Sequence, residues 1–337
     1  MIDFTPAETQ QAVAGLATEV LAAEVPASAD PWKELARAGL LSVGPDALGL
    51  LDTAVLLTEI GRRAPSLKAH ATLMTGALPV ARWGSDELKQ ALLPGVASGE
   101  LLLTAAIREP SDPQPGPPVT AVTNGTITGT KLGVPYAEQA QLMLVPASSG
   151  VALVDPHAEG VTLIATPSSS GQPESTLRMA GAPVQAMLGG ADCVADLYQL
   201  SVAGACALAD GAVAGALALT RDHVATREQF GRPLAAFQAV TQQIAEVYIA
   251  SRTMHLATLA ACWRLDAGLE ADADLGVAAY WCAEQAPRSV RTCHHLHGGL
   301  GMDATYPLHR FSSLVADLVR YLGGAEYRLE RHACSST

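Results

Sequence analysis

The chain has 337 residues, of which 49% are hydrophobic and 16% charged, which supplies apolar material for one or two globular domains and argues against disorder. Lys and Arg number 21 against 33 Asp and Glu, giving a net charge of −12, the wrong sign for neutralising nucleic-acid phosphates or an anionic lipid surface. Aromatic residues at 4% also leave few platforms for stacking bases.

Six cysteines, Cys193, Cys206, Cys262, Cys282, Cys293 and Cys334, form no C-x-x-C pair, so neither a disulfide scaffold nor a zinc ribbon is expected and a reducing cytoplasm fits. The opening MIDFTPAETQ lacks the basic flank and apolar core of a signal peptide. The first hundred residues read as helices. Thr5, Pro6 and Glu8 form a helix start, with Thr as N-cap, Pro at the first helical position and Glu closing a capping box. Val13, Leu16 and Val20 follow at helical spacing. A second helix holds Val55, Leu56 and Ile60 and is expected to stop near Gly61. A third covers Leu67 to Leu78 before Pro79, and Ser85 opens another, closed by Pro94.

From Leu101 to about Ile164 the pattern changes to short β-branched and apolar runs: LLLTAAI, VTAVT, TITGT, LMLVPA, VALV and VTLIA. Asn124-Gly125 between two of them signals a tight hairpin, because both central positions of a type I′ turn need positive φ. Ser168 to Pro173 reads as loop. From Asp192 onward long helices return, expected at Val202–Arg227, Ala235–Gly268, Ala271–His297 and Tyr306–Arg331, a four-helix bundle. Val202 to Leu219 is apolar enough to imitate a membrane span, but its Ala and Gly content and Asp210 read as a close-packed helix of a soluble protein. The fold class is therefore mainly α with a small central β domain. Its expected domains are an N-terminal helical domain over 1–100, a middle β domain over 101–190, and a C-terminal bundle over 191–337. No G-x-G-x-x-G follows a strand, which disfavours a Rossmann fold.

Physically, Arg227 offers a fork of donors to a diphosphate and Gln238 can donate and accept. Gly298, Gly299 and Gly301 permit close backbone approach to a large ligand, and Phe230 offers a packing face. Alone, each also fits an ordinary helix-surface, core or loop role. Their joint arrangement, TREQFGRPLAAFQ from Thr226 to Gln238 and HHLHGGLGMDATYPLHR from His294 to Arg310, resembles the acyl-CoA dehydrogenase family. The first matches that family's R-x-x-F-G-x-x-(L/I)-x-x-x-Q signature and the second its Q-x-x-G-G-x-G followed by Tyr-Pro. Weaker likeness runs through GSDELKQALLPGVASGE, AAIREP and GTKLGVPYAEQAQLMLVPA.

The resemblance implies an N-terminal helical domain, a β-barrel or sandwich middle domain, a C-terminal four-helix bundle, and FAD at a subunit interface. It implies that Arg227, Phe230, Gln238, Gly298 and Gly299 reach a neighbour's FAD, with His295 standing where the family usually has Gln. His294 and His297 complete a histidine cluster, but no acidic partner lies at metal-ligand spacing and no metal is expected.

The family's reaction removes an α proton from an acyl-CoA thioester with a carboxylate while hydride passes to the flavin. The base-bearing Glu precedes a Gly in a Tyr-Glu-Gly-Thr type motif, where this chain has Tyr321-Leu322-Gly323-Gly324. An alkyl group cannot take a proton. An alternative base position, on the helix before the first signature, falls at Ser201 and Val202. Asp196, Asp210 and Glu326 are the nearest displaced carboxylates, so no catalytic residue is assigned. The family's flavin-holding Thr-Glu-Pro is Arg108-Glu109-Pro110 here, and its Trp-Ile-Thr stacking segment is Gly133-Val134-Pro135. This pattern is similar to the base-lacking subunit of the heteromeric acyl-CoA dehydrogenases of actinobacterial steroid (cholesterol) side-chain breakdown. The resemblance implies an α2β2 assembly with a homologous subunit, an acyl-CoA substrate and an electron-transferring flavoprotein as acceptor, with no nucleic acid or membrane partner. A self-sufficient homomer with a displaced base, and a non-enzymatic member that binds CoA esters or serves assembly, are the alternatives.

Overall fold

The computed structural model describes residues 6–22, 30–44, 47–63, 68–110, 112–114 and 116–335. The chain divides into two compact units, one gathering Pro6–Leu56 with Ser66–Gly204, the other Leu57–Pro65 with Ala205–Thr337.

The first unit begins with helices α1 (Glu8–Ala22) and α2 (Pro31–Arg37) and the start of α3 (Leu50–Arg63). The Thr5 cap expected for α1 lies outside the described residues. A π-helical stretch, His70–Ala77, then leads into α4 (Leu78–Trp83), followed by α5 (Asp86–Ala97). Ser85 caps α5 as expected, its side chain accepting from the Leu88 N–H at 3.3 Å. The expected stops at Pro79 and Pro94 do not hold. The Leu78 N–H bonds the Leu73 carbonyl five residues back, and this wider turn relieves the clash that a proline ring makes with the carbonyl four residues before it. Pro94 sits in the last turn of α5, where the chain runs on to Ala97 and the Ser98 N–H returns to the Pro94 and Val96 carbonyls.

The β elements of this unit form two four-stranded sheets. One has the order β1 (Leu103–Ala105), β4 (Leu142–Ala147), β5 (Gly150–Val154), β8 (Ala186–Leu188). The other runs β2 (Ala121–Thr123), β3 (Thr126–Pro135), β7 (Glu174–Pro183), β6 (Val161–Ala165). Ile127, Val134, Leu177 and Met179 from one sheet and Met143, Val145, Ala152 and Val154 from the other share one buried cluster, as a sandwich requires. The hairpin at Asn124 (φ 51°) and Gly125 (φ 77°) joins β2 to β3 with Thr123 opposite Thr126. Strand β7 is absent from the sequence reading. It is flanked by β3 and β6, so two hydrogen-bonded neighbours hold a segment whose Gly181 and irregular alternation give a weak strand signal.

In the second unit lie most of α6 (Ala191–Thr226), then α7 (Gln238–Asp266), α8 (Asp272–His297), α9 (Leu308–Leu322) and α10 (Ala325–Ser335). The single last helix expected from the sequence is two, because Gly323 and Gly324 at φ 87° and 88° end α9 in the left-handed region. Helix α3 does not stop at Gly61. Instead Gly61, Gly211 and Gly215 let α3 and α6 meet backbone to backbone: a Cβ at Gly211 would lie 1.9 Å from the Thr58 carbonyl oxygen, and one at Gly61 2.4 Å from that of Leu208. Helix α6 is long and apolar enough to cross a membrane, yet 78% of its apolar window is buried inside the protein.

Candidate cofactor-binding site

Between α6 and α7 the chain turns through a two-strand ribbon, β9 (Glu228–Gln229) and β10 (Arg232–Pro233). Gln229 pairs with Arg232, so Phe230 (φ 54°) and Gly231 (φ 76°) make a two-residue turn of the kind that demands positive φ at both positions. Positive φ is costly for a bulky side chain, and Phe230 at the tip is 90% exposed. Its only ring neighbour among the described residues is Phe237, edge-on at 6.1 Å, with the Arg232 guanidinium 4.2 Å above the Phe237 ring. Gln238 follows as the first residue of α7, exposed.

Arg227 ends this same turn. Its carbonyl accepts from the Leu234 N–H at 2.8 Å and its own N–H donates to the His223 carbonyl at 2.8 Å. The His223 ring stacks on His297 at 4.4 Å with the planes 16° apart, and His297 directly precedes Gly298. The structure therefore brings the two sequence signatures together: Arg227, Phe230 and Gln238 from the turn into α7, and His295, Gly298 and Gly299 from the end of α8. Around Gly298 (φ 57°) and Gly299 an added Cβ would meet nothing within 4 Å, Arg227 is exposed with no ion-pair partner among the described residues, and His295 is exposed. An unpaired cation, an uncovered aromatic ring and open glycine backbone suit the diphosphate and rings of a dinucleotide.

The other two histidines are held internally. His294 Nδ1 bonds the Gly301 carbonyl at 2.9 Å and its Nε2 the Ser312 hydroxyl at 3.0 Å. His297 Nδ1 bonds the Cys293 carbonyl at 2.8 Å, so that nitrogen carries the proton, and Nε2 meets the Tyr306 hydroxyl at 3.1 Å. Among the described residues no three His, Cys, Asp or Glu side chains are grouped to hold a metal ion. The stacked His223 was not singled out from the sequence, since it lies far along the chain from His297 and meets it only on folding; Tyr306 entered only as part of the Tyr-Pro that follows the glycines.

The base positions are equally plain. Leu322 is fully buried. Ser201 is buried too, donating to the Tyr198 carbonyl at 2.8 Å and accepting from Gln114 at 3.2 Å. Asp196 accepts from Arg82 at 2.6 Å and from the Trp83 indole at 2.7 Å. Asp210 is buried against His255 Nδ1 at 2.8 Å, and Glu326 is exposed helix surface. Asp196 and Asp210 are therefore engaged in structure and Glu326 is turned to solvent.

The middle-domain segments that depart from the family motif are built into the fold. Glu109 accepts from Val119 N–H (2.9 Å), Thr120 N–H (3.0 Å), Thr120 Oγ1 (2.6 Å) and Lys131 Nζ (2.9 Å), with both charged side chains at 0% exposure. Burial pushes the Lys131 ammonium down to about 8. Burial pushes the Glu109 carboxyl up, but its hydrogen bonds from Thr120, Lys131 and Val119 and the Lys131 charge outweigh this and hold it below the ordinary range. Gly133 (φ 62°) lies at an irregularity between β3 and β7, and Val134 and Pro135 are buried. Neither offers an exposed face for a flavin ring.

The order is helical, β-sandwich, helical, with both sequence signatures exposed at the turn into α7 and the end of α8, and comparison with known proteins gives the family. Residues 6–100 match the acyl-CoA dehydrogenase N-terminal domain and residues 199–329 the acyl-CoA dehydrogenase C-terminal domain. The chain is 46% identical to acyl-CoA dehydrogenase FadE28 of Mycobacterium tuberculosis over 98% of this chain and 97% of that one. Its fold superposes on the ChsE4–ChsE5 complex from Mycobacterium tuberculosis with a TM-score of 0.89 at 31% identity, covering 99% of this chain and 98% of that one. On a Tcur3481–Tcur3483 steroid ACAD variant the TM-score is 0.86 at 31% identity, covering 97% of each. The chain belongs to the acyl-CoA dehydrogenase family, as its two signatures anticipate. Family members are oxidoreductases acting on CH–CH bonds, and solved proteins of this fold include complexes with FAD or FADH2.

Proposed function

We propose that this chain is the base-lacking subunit of a heteromeric, FAD-dependent acyl-CoA dehydrogenase that desaturates CoA thioesters of steroid side chains. The observation that carries the reading is the contrast between the two sites. The base position holds a buried Leu322, and the candidate displaced carboxylates Asp196 and Asp210 are engaged by Arg82 and His255, while Arg227, Phe230, Gln238, Gly298 and Gly299 are exposed. The likeness to two-chain assemblies, one of them a steroid ACAD, supports a homologous partner and the substrate class.

In this reading the chain's own residues bind and orient. Arg227 holds the diphosphate of a FAD lying mainly on the partner, Phe230 packs against it and keeps water away, and Gln238 and His295 fix it by hydrogen bonds. The glycine pair lets the backbone approach. When bound, FAD supplies the hydride acceptor, and the partner supplies the Glu that takes the α proton. The complex is α2β2, works in the cytoplasm, and passes its electrons to an electron-transferring flavoprotein. Cys193, Cys206, Cys262, Cys282 and Cys293 are free and buried, consistent with a reducing compartment.

Expression with and without the homologous subunit tests this. Alone the chain is colourless and does not reduce dye with an acyl-CoA; co-expressed, it yields a yellow active complex. Arg227→Ala weakens FAD binding by the complex roughly tenfold or more, the usual weight of a charge-assisted contact. A yellow, active homomer of this chain overturns the proposal.

A further inference from the structure

The His223 ring nitrogens make no hydrogen bond among the described residues. Of the histidines at the end of α8, His294 and His297 each use both nitrogens, and His295 is exposed. His223 lies four residues before Arg227, which follows the end of α6 and donates its N–H to the His223 carbonyl at 2.8 Å, and it is stacked on the ring next to Gly298. It thus stands between the cation and the glycine backbone of the cofactor site, with both N–H positions available to a ligand.

We propose that His223 is a conditional second cation of the cofactor site, neutral while no anion is present and protonated when a dinucleotide diphosphate lies against Arg227. The inference rests on the cofactor role proposed for Arg227. The groups that bear on His223 are Arg227, the residue after α6, and the stacked His297 ring from α8; His297 in turn meets His294 and Tyr306, and Asp222 acts on Tyr306. Burial first, then the Arg227 charge, holds the His223 ring neutral. His297 is held neutral by burial and by its histidine neighbours, although the Cys293 carbonyl works the other way. A diphosphate on Arg227 reverses the sign of that local field, and an imidazolium at His223 then gains an anionic partner for its free N–H groups. The balance is one proton taken up from solvent as FAD binds. An ordinary helix-surface histidine would show no such uptake.

The test titrates FAD into the FAD-depleted complex of this chain with its homologous partner, by calorimetry in two buffers of different ionisation enthalpy and by flavin fluorescence across roughly pH 5.5 to 8. Wild type is expected to take up as much as one proton per FAD, with Kd rising by up to about tenfold per pH unit within that window. His223→Phe keeps a ring over His297 and is expected to take up no proton and to show a flat pH profile at unchanged melting temperature. Arg227→Ala separates the two levels of the argument. If it leaves FAD affinity unchanged, the cofactor site itself is misplaced. If it weakens FAD while wild type and His223→Phe share one pH profile, the role of His223 is overturned and the site stands.

Discussion

Replacing Lys131 by Met would leave the Glu109 carboxylate buried with its three remaining donors, Val119 N–H, Thr120 N–H and Thr120 Oγ1. Removing one member of a buried ion pair costs about 3–5 kcal/mol, because an uncompensated charge remains. With three of four hydrogen bonds kept, the lower end, about 3 kcal/mol, applies. Glu109→Gln alone keeps the shape and loses the charge that stabilises Lys131, so its cost is similar. The pair Glu109→Leu with Lys131→Met removes both charges together and should recover much of the loss, since apolar replacement of a whole buried pair is often close to neutral. Urea unfolding of the four proteins gives the coupling energy directly, and the flavin content of the complex is read on the same preparations. The account expects a large coupling and unchanged flavin content per folded complex. Single variants that cost under about 1 kcal/mol, or that shed flavin at full stability, would show that Glu109 serves a cofactor and not the sandwich.

Other outcomes follow from the same geometry. Gly211→Val drives a side chain into the Thr58 carbonyl and should leave the chain aggregated or unfolded, whereas Gly15→Ala, with open space around it on α1, should add roughly 0.5–1 kcal/mol; thermal melts compare them. Glu326→Gln should leave turnover of the complex within about twofold, and Asp196→Asn should lower stability through Arg82 and Trp83 while keeping the chemistry, so a loss of more than a hundredfold in kcat for either would identify a displaced base. His70 is buried, and burial depresses its pKa from 6.5 to about 4 against the pull of the Ser201 carbonyl. The unfolded chain therefore binds the extra proton first, and stability is lost as pH falls from about 6.5 toward 4. Urea unfolding should show wild type losing about 3 kcal/mol more than His70→Gln between pH 7 and pH 4.

The helical, β, helical order was legible because apolar periodicity is a local property, and so were the Ser85 cap and the Asn124-Gly125 hairpin, whose chemistry lies within four residues. The helix ends at Gly61, Pro79 and Pro94 were misread for a single reason. Each breaker residue is kept inside its helix by what surrounds it: a neighbouring helix backbone at Gly61, a π-helical turn at Pro79, and the last turn of α5 at Pro94. Strand β7 was missed because its two neighbours define it better than its own side chains. The motif spacing singled out Arg227, Phe230, Gln238, His295, Gly298 and Gly299, which the fold gathers at the turn into α7 and the end of α8. It could not name His223 as their neighbour, or Lys131 as the partner of Glu109, because those pairs form across the fold.

The central claim, that this chain completes a cofactor site on a neighbour and holds none of its own, is tested most directly by counting flavin. Protein and flavin absorbance of the purified complex, with its mass measured in solution, give FAD per chain. One FAD for each pair of unlike chains is the predicted result. One FAD for every chain would contradict it.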